Sequence, residues 1–179
     1  MNQNPGHLLE QYIIGKDQDK HKILETIYEE SAEVEFENNS TNITFPNKII
    51  GHKNIAKTLS ADFNKTYENV KTYYLARINA EELTALEQPW LVVMKEIGSE
   101  VTRVGSGYYS WDFIKTNNEL KIFKHKIYIH SMLEIHDPQS ELLLKIQEQL
   151  EYPWVDKKTA ICTIKNYENL TEITKYLMT

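Results

Sequence analysis

Two neighbouring stretches decide how this chain folds: TRVGSGYYSWDFIKT (102–116) and LKIFKHKIYIH (120–130). Both are rich in Tyr, Val, Ile, Phe and Trp, residues that suit a pleated, half-buried surface. Both are longer than an average strand, and the pair Asn117-Asn118 lies between them, a tight connection of the hairpin kind. Alternation then assigns faces. In the first stretch Tyr108, Ser110, Asp112 and Ile114 share one face, and Tyr109, Trp111 and Phe113 share the other. In the second, Phe123, His125, Ile127 and Ile129 share a face, opposite Ile122, Lys124, Lys126, Tyr128 and His130.

Working back from this hairpin, residues 70–79 and 89–97 read as two further strands, so the four make a meander. Before them the period is helical. Leu8, Leu9, Tyr12 and Ile13 form the stripe of a first helix over 6–16, ended by Gly15-Lys16-Asp17. Asp19 is an N-cap for a second helix that buries Ile23, Leu24, Ile27 and Tyr28. Residues 33–37 alternate strictly as a strand. Residues 38–47, rich in Asn, Ser and Thr with Pro46, read as a loop. After Gly51 a third helix carries Ile55, Ala56, Leu59 and Phe63. Helices that precede an antiparallel sheet, without a βαβ repeat, define an α+β fold.

Working forward, Asp137-Pro138 reads as a helix start, and Leu142, Leu143, Ile146 and Leu150 as its apolar stripe. A weaker helical pattern runs from 156 to 177. The expected organisation is a cone-shaped α+β pocket domain over 1–136 and a helical extension over 137–179. That extension is short for a core of its own, so it is expected to pack on the main domain or on a partner subunit.

Composition excludes several classes. The chain has 179 residues, 20 basic against 26 acidic, for a formal net charge of −6. An acidic balance without a Lys/Arg block disfavours nucleic acid and anionic membranes as partners. No segment approaches the about 20 apolar residues of a membrane helix. Met1 to Glu10 is polar and lacks the apolar run of a signal peptide. A single cysteine, Cys162, cannot close an internal disulfide, so a reducing cytoplasm is the expected location. The histidines show no HxH or HxxxH spacing, so no metal and no cofactor is expected.

The order of elements resembles the nuclear transport factor two-like superfamily, which includes SnoaL-like cyclases and ketosteroid isomerases. The resemblance covers about residues 6–131. It is carried by Tyr12-Ile13, Asp17, Asp19, then Ile27-Tyr28-Glu29-Glu30-Ser31-Ala32, the Gly51 entry to the third helix, and Trp111 with Leu120-Lys121-Ile122. It implies three N-terminal helices packed in a curved antiparallel sheet around a conical cavity, and frequent homodimers. It also places Tyr12 at the oxyanion tyrosine of the isomerases and Asp112 at their oxyanion aspartate. The isomerase general base falls at or beside Phe36, which cannot take a proton.

Cross-strand pairing adds a second argument. A loop at 117–120 sets Asp112 opposite His125, and a two-residue turn sets Ser110 there with Asp112 diagonal. On either register the pair faces the cavity. An imidazole titrating at about 6.5 beside a carboxylate can move a proton near neutrality. Alternatively, Asp112 and His125 simply satisfy each other inside the sheet, as buried polar groups must, and Tyr12 is a core residue with a bonded hydroxyl.

The expected site thus has Asp112, His125 and Tyr12 as catalytic residues, and Phe36, Tyr108, Ser110, Phe123 and Ile127 against a small apolar molecule. The expected activity is cofactor-independent acid–base chemistry of lyase, isomerase or hydrolase type. The alternative is a non-catalytic ligand-binding or assembly subunit. The other sheet face, with Tyr109, Trp111, Phe113 and Tyr128, is too aromatic to stand in water, so the tail or a second subunit is expected to cover it.

Overall fold

A computed structural model describes residues 3–179; Met1 and Asn2, which begin the polar N-terminal stretch and the 1–136 domain, lie outside the described residues. The chain runs α1 (Pro5–Asp17), α2 (His21–Ile27), β1 (Tyr28–Asn38), β2 (Lys48–Ile50) and α3 (His52–Ala56). From there α3 continues through a π-helical stretch (Lys57–Asp62) into α4 (Phe63–Thr66). Then come β3 (Tyr67–Tyr74), β4 (Thr84–Glu96), β5 (Val101–Thr116) and β6 (Glu119–His136), followed by α5 (Glu141–Gln149), α6 (Lys157–Ile164) and α7 (Thr171–Leu177).

The six strands form one sheet in the order β2-β1-β6-β5-β4-β3. Every neighbouring pair is antiparallel except β1 and β6, which run parallel. That pairing joins residues nearly a hundred positions apart, and no local pattern announces it. The fold is α+β with a mixed sheet, whose inner face holds the N-terminal helices.

Local chemistry explains the helices. Asn4 caps α1 by accepting from the His7 amide at 2.9 Å, with Pro5 in the first turn. The helix is not broken at Gly15 but runs on to Asp17. Gly15 is there for contact: a Cβ would fall 2.7 Å from the Leu24 side chain of α2. Asp19 does not cap α2; it takes the left-handed conformation between the helices (φ 54°), and α2 begins after Lys20.

The β5–β6 hairpin departs from simple alternation. Asn117 and Asn118 both have positive φ (51° and 63°), the mark of a type I′ turn, and Thr116 pairs with Glu119. Phe113 pairs with Ile122, but Asp112 pairs with Lys124, so Phe123 is an extra residue in a β-bulge. From there Trp111 lies opposite His125. A second bulge, at His130, shifts the register again.

Two apolar cores result. The inner one joins α1, α2 and α3 to the inner sheet face, including Tyr12, Tyr28, Tyr109, Trp111 and Phe113. Tyr109, Trp111 and Phe113 are therefore covered by the chain's own N-terminal helices, not by the extension or a partner subunit as expected, and Tyr128 lies on the other face beside Tyr108. The second core lies across the outer face of β3 and β4, where Tyr73, Leu91 and Val93 meet Leu143, Ile146, Ile164, Ile173 and Leu177 of the extension. Packed from both sides, Leu91-Val92-Val93-Met94 is an unbroken buried run. Among the described residues no helix is long and apolar enough to cross a membrane.

Candidate functional site

The inner core is not completely filled. A narrow cavity of about 50 Å³ lies between α1, the helical rod of α3 and α4, the 39–47 loop and the sheet. On the same scale one water needs roughly 10–15 Å³, so the space suits a compact molecule. Phe36, Ile43, Phe45, Leu59, Ile127 and Ile129 make its wall apolar. The loop side is pinned by stacking of Phe45 on Phe36 at 4.6 Å. It is also held by Asn42, whose side chain donates to Met132 O and whose carbonyl accepts from Arg103.

Against this wall stand a few polar groups. Tyr12 is fully buried, and its hydroxyl stands near the Tyr109 side chain without a hydrogen bond of good geometry. Burial first, then the neighbouring Tyr109, Tyr28 and Tyr74, push its pKa well above the usual phenol value, so it is a neutral donor. Trp90 also lines the cavity, and its indole N–H is buried without a partner. Gly107 makes room for the Tyr128 carbonyl of the neighbouring strand and for that ring: a Cβ there would collide with the carbonyl oxygen and fall 2.8 Å from the ring.

The third polar group is ionic. The buried stripe of α1, Leu8-Leu9 and Tyr12-Ile13, continues one turn further onto Lys16 and Asp17. Lys16 Nζ lies 2.7 Å from Asp17 Oδ1 and 2.8 Å from Thr72 Oγ1, and Lys16 and Thr72 both line the cavity. Asp17 accepts from Lys16 and Thr72 Oγ1 on Oδ1, and from Thr72 N (2.7 Å) and Tyr152 OH (2.9 Å) on Oδ2. A carboxylate offers about four lone-pair sites, and here all are taken. Lys16 keeps one N–H beyond these two bonds, and its ammonium lies 4.8 Å from the Phe63 ring centroid.

His125 sits behind this cavity, not in its wall. Its ring stacks on Trp111 at 3.8 Å and meets Tyr12 and Tyr109 at 5.1 Å each. Nδ1 shares a hydrogen bond of 2.7 Å with the Tyr28 hydroxyl, and Nε2 is buried without a partner. Burial drives its pKa well below the usual imidazole value, so the ring is neutral.

Of the residues expected at the site, Tyr12, Phe36 and Ile127 line the cavity. Asp112 does not: it lies on the outer face in register with Lys124, where Thr84 donates to it at 3.0 Å. Tyr108 and Ser110 share that outer face, and Tyr108 stacks on Tyr128 at 4.7 Å. Phe123 is the bulged residue, half-buried, with the Lys124 ammonium 5.8 Å from its ring centroid. The cause is common to all four. The bulge at Phe123 shifts the pairing by one residue, which moves one strand's side chains to the other face relative to its partner. Lys16, Asp17, Thr72, Trp90 and Tyr152 are not among the expected site residues, although Asp17 helps to carry the family resemblance. For the first two a signal exists, since the α1 stripe extended by four residues lands on them. Among the described residues no group of three His, Cys, Asp or Glu side chains is placed to hold a metal.

No family model matches this sequence, and no curated protein matches it. Solved structures do. The structure of LinA is 10% identical, with a TM-score of 0.57 over 72% of this chain and 84% of that one. The hexachlorocyclohexane dehydrochlorinase LinA-type3 from Novosphingobium barchaimii LL02 is 12% identical, with a TM-score of 0.54 over 72% and 85%. A nuclear transport factor 2 (NTF2-like) superfamily protein from Salmonella enterica serovar Typhimurium LT2 is 15% identical, with a TM-score of 0.55 over 68% and 84%. At these identities the likeness is one of fold, and the fold is NTF2-like.

Proposed function

We propose that this chain of NTF2-like fold is a small-molecule pocket protein. It holds a compact, largely apolar molecule by one acceptor oxygen and polarises that oxygen, as a cofactor-independent lyase or isomerase does. The observation that carries the reading is the polarity of the cavity wall. Three of the residues that line it carry a donor with spare hydrogen-bonding capacity: Tyr12 its hydroxyl, Trp90 its indole N–H and Lys16 its ammonium. Buried donors without partners cost about 1–3 kcal/mol each, and a ligand carbonyl or carboxylate would remove that cost. Donors fixed in an apolar site also stabilise negative charge that develops on such an oxygen during enolisation or elimination; the proton leaving carbon would pass to water, since no carboxylate or imidazole stands among the described residues of the wall.

A second reading, a ligand holder without chemistry, has its own support. Asp17 is the carboxylate next to the cavity, and its four acceptor sites are filled, so it has none left to take a proton from a bound molecule.

Matched probes test both readings. Binding of cyclohexanone and of methylcyclohexane to the full chain is followed by tryptophan fluorescence, and exchange of the ketone's α-protons with heavy water by NMR. The ketone should bind at least tenfold more tightly than the hydrocarbon and exchange faster than in buffer. Ketone binding without exchange would leave the holder reading. Equal affinities, or no saturable binding by either probe, would refute the pocket reading.

A further inference from the structure

We infer that the C-terminal extension is part of the site: Tyr152 is a positioning residue that holds Asp17, and through it the Lys16 ammonium, against the cavity. The inference rests on the reading of the cavity as a ligand site. It starts from the edge of the sheet. β3 is the last strand in the order, so one side of it has no strand neighbour. The segment between α5 and α6 runs along that side. The Tyr74 amide donates to Pro153 O at 2.7 Å, the Val155 amide donates to Tyr74 O at 3.0 Å, and Tyr74 and Trp154 form a parallel bridge.

This strap then reaches α1 at two points. Trp154 Nε1 donates to Glu10 Oε1 at 2.8 Å, and the Tyr152 hydroxyl donates to Asp17 Oδ2 at 2.9 Å. The chain bends at Tyr152 and Pro153, and both side chains reach α1. Glu10 and Asp17, seven apart on a helix, share a face, so the extension grips one face of α1 along two turns. The Tyr152 ring is fixed in turn, edge-on to Tyr73 at 5.8 Å with the Lys71 ammonium over it at 5.6 Å.

The chemical consequence lies in the count of acceptor sites. Without Tyr152, Oδ2 of Asp17 keeps only the Thr72 amide and can swing or turn its free lone pair elsewhere. The ion pair that aims Lys16 then loses its fixed end.

The test is first made without ligand, on the full chain. The Lys16 ammonium protons are followed by nitrogen-15 NMR in the wild type, in Tyr152→Phe and in Trp154→Phe. The last variant loosens the strap at Glu10 without touching Asp17. Exchange of the Lys16 protons with water should be at least tenfold faster in Tyr152→Phe than in the other two. Unchanged exchange in Tyr152→Phe, or equal acceleration in Trp154→Phe, would overturn the inference. Should Tyr152→Phe fail to fold, the wild-type Tyr152 hydroxyl proton still decides: it should give a slowly exchanging resonance, and its absence counts against the inference.

In a second arm, the preference for cyclohexanone over methylcyclohexane should fall about tenfold in Tyr152→Phe and hold in Trp154→Phe. A retained preference in Tyr152→Phe would overturn the link to the ligand. If Lys16 exchange responds while no probe binds the wild type, the positioning of Lys16 by Tyr152 is supported and the ligand-site reading fails.

Discussion

Two buried polar groups sit on either side of Tyr12, and they are built on opposite plans. At the end of α1, Asp17 has every acceptor site filled by Lys16, Thr72 and Tyr152. Under Trp111, His125 has one nitrogen bonded to Tyr28 and the other bare. Completeness marks a structural anchor, since a fully satisfied network resists change. Incompleteness, in His125, Tyr12 and Trp90, marks hydrogen-bonding capacity that the folded chain leaves unused. The cavity lies where the two plans meet.

The strongest way to break the anchor is to remove its centre. Asp17→Ala leaves the Lys16 ammonium, the Thr72 amide and the Tyr152 hydroxyl without their common partner. Breaking a buried ion pair by removing one member costs about 3–5 kcal/mol, readable by urea unfolding at neutral pH. The double change Lys16→Met with Asp17→Leu should recover much of that loss, because an apolar pair leaves no bare charge. A single-variant loss below about 1 kcal/mol would show that the cluster is not an anchor.

The His125 side of the comparison is sharpened by pH. Its pKa is depressed in the folded chain by burial, while the unfolded chain protonates it at about 6.5. The unfolded state then binds more protons at lower pH, so stability is full above about 6.5 and is lost as pH falls toward the folded value. Below about 6.5 the loss from this one group approaches about 1.4 kcal/mol per pH unit. His125→Gln, which keeps an acceptor for Tyr28, should therefore lose less stability than the wild type as the pH falls from 7.5 to 5. Parallel slopes in the two proteins would mean that His125 is not held neutral by the fold.

Tyr12→Phe has a smaller effect, of the opposite sign. Its hydroxyl is buried beside Tyr109 without a well-formed hydrogen bond, so removing it should raise the free energy of unfolding by up to about 1 kcal/mol. The same change should weaken cyclohexanone binding about tenfold, a stability gain set against function. Lower stability would show that the hydroxyl has a partner within the chain.

How much of this was legible in sequence differs by region, for physical reasons. The helical stripes, the switch to alternation and the Asn117-Asn118 turn are local signals, and they yield the α+β class and the hairpin. The parallel β1–β6 pair is non-local and leaves no local trace. The bulge at Phe123 contains neither glycine nor proline, so nothing in LKIFKHK separates it from regular strand. Lys16 and Asp17 were readable as continuations of the α1 stripe, but their charge suggests a helix end. Tyr152 could not be placed, because its partner belongs to another element.

The smallest expected effect is the most direct check on the sheet register. Asp112 looks in sequence like the partner of His125, yet one extra residue at Phe123 pairs Trp111 with the histidine and turns Asp112 outward. There it accepts one bond from Thr84 at a half-exposed site. Asn keeps the side-chain shape and one carbonyl acceptor. Asp112→Asn should therefore change unfolding free energy by no more than about 0.5 kcal/mol and leave cyclohexanone affinity as it was. His125 would keep its wild-type pH dependence, because the carboxylate is not its neighbour. A lost pH dependence, or binding weakened tenfold, would instead place Asp112 inside the cone. Such a result would remove the bulge and the face assignment that follows from it.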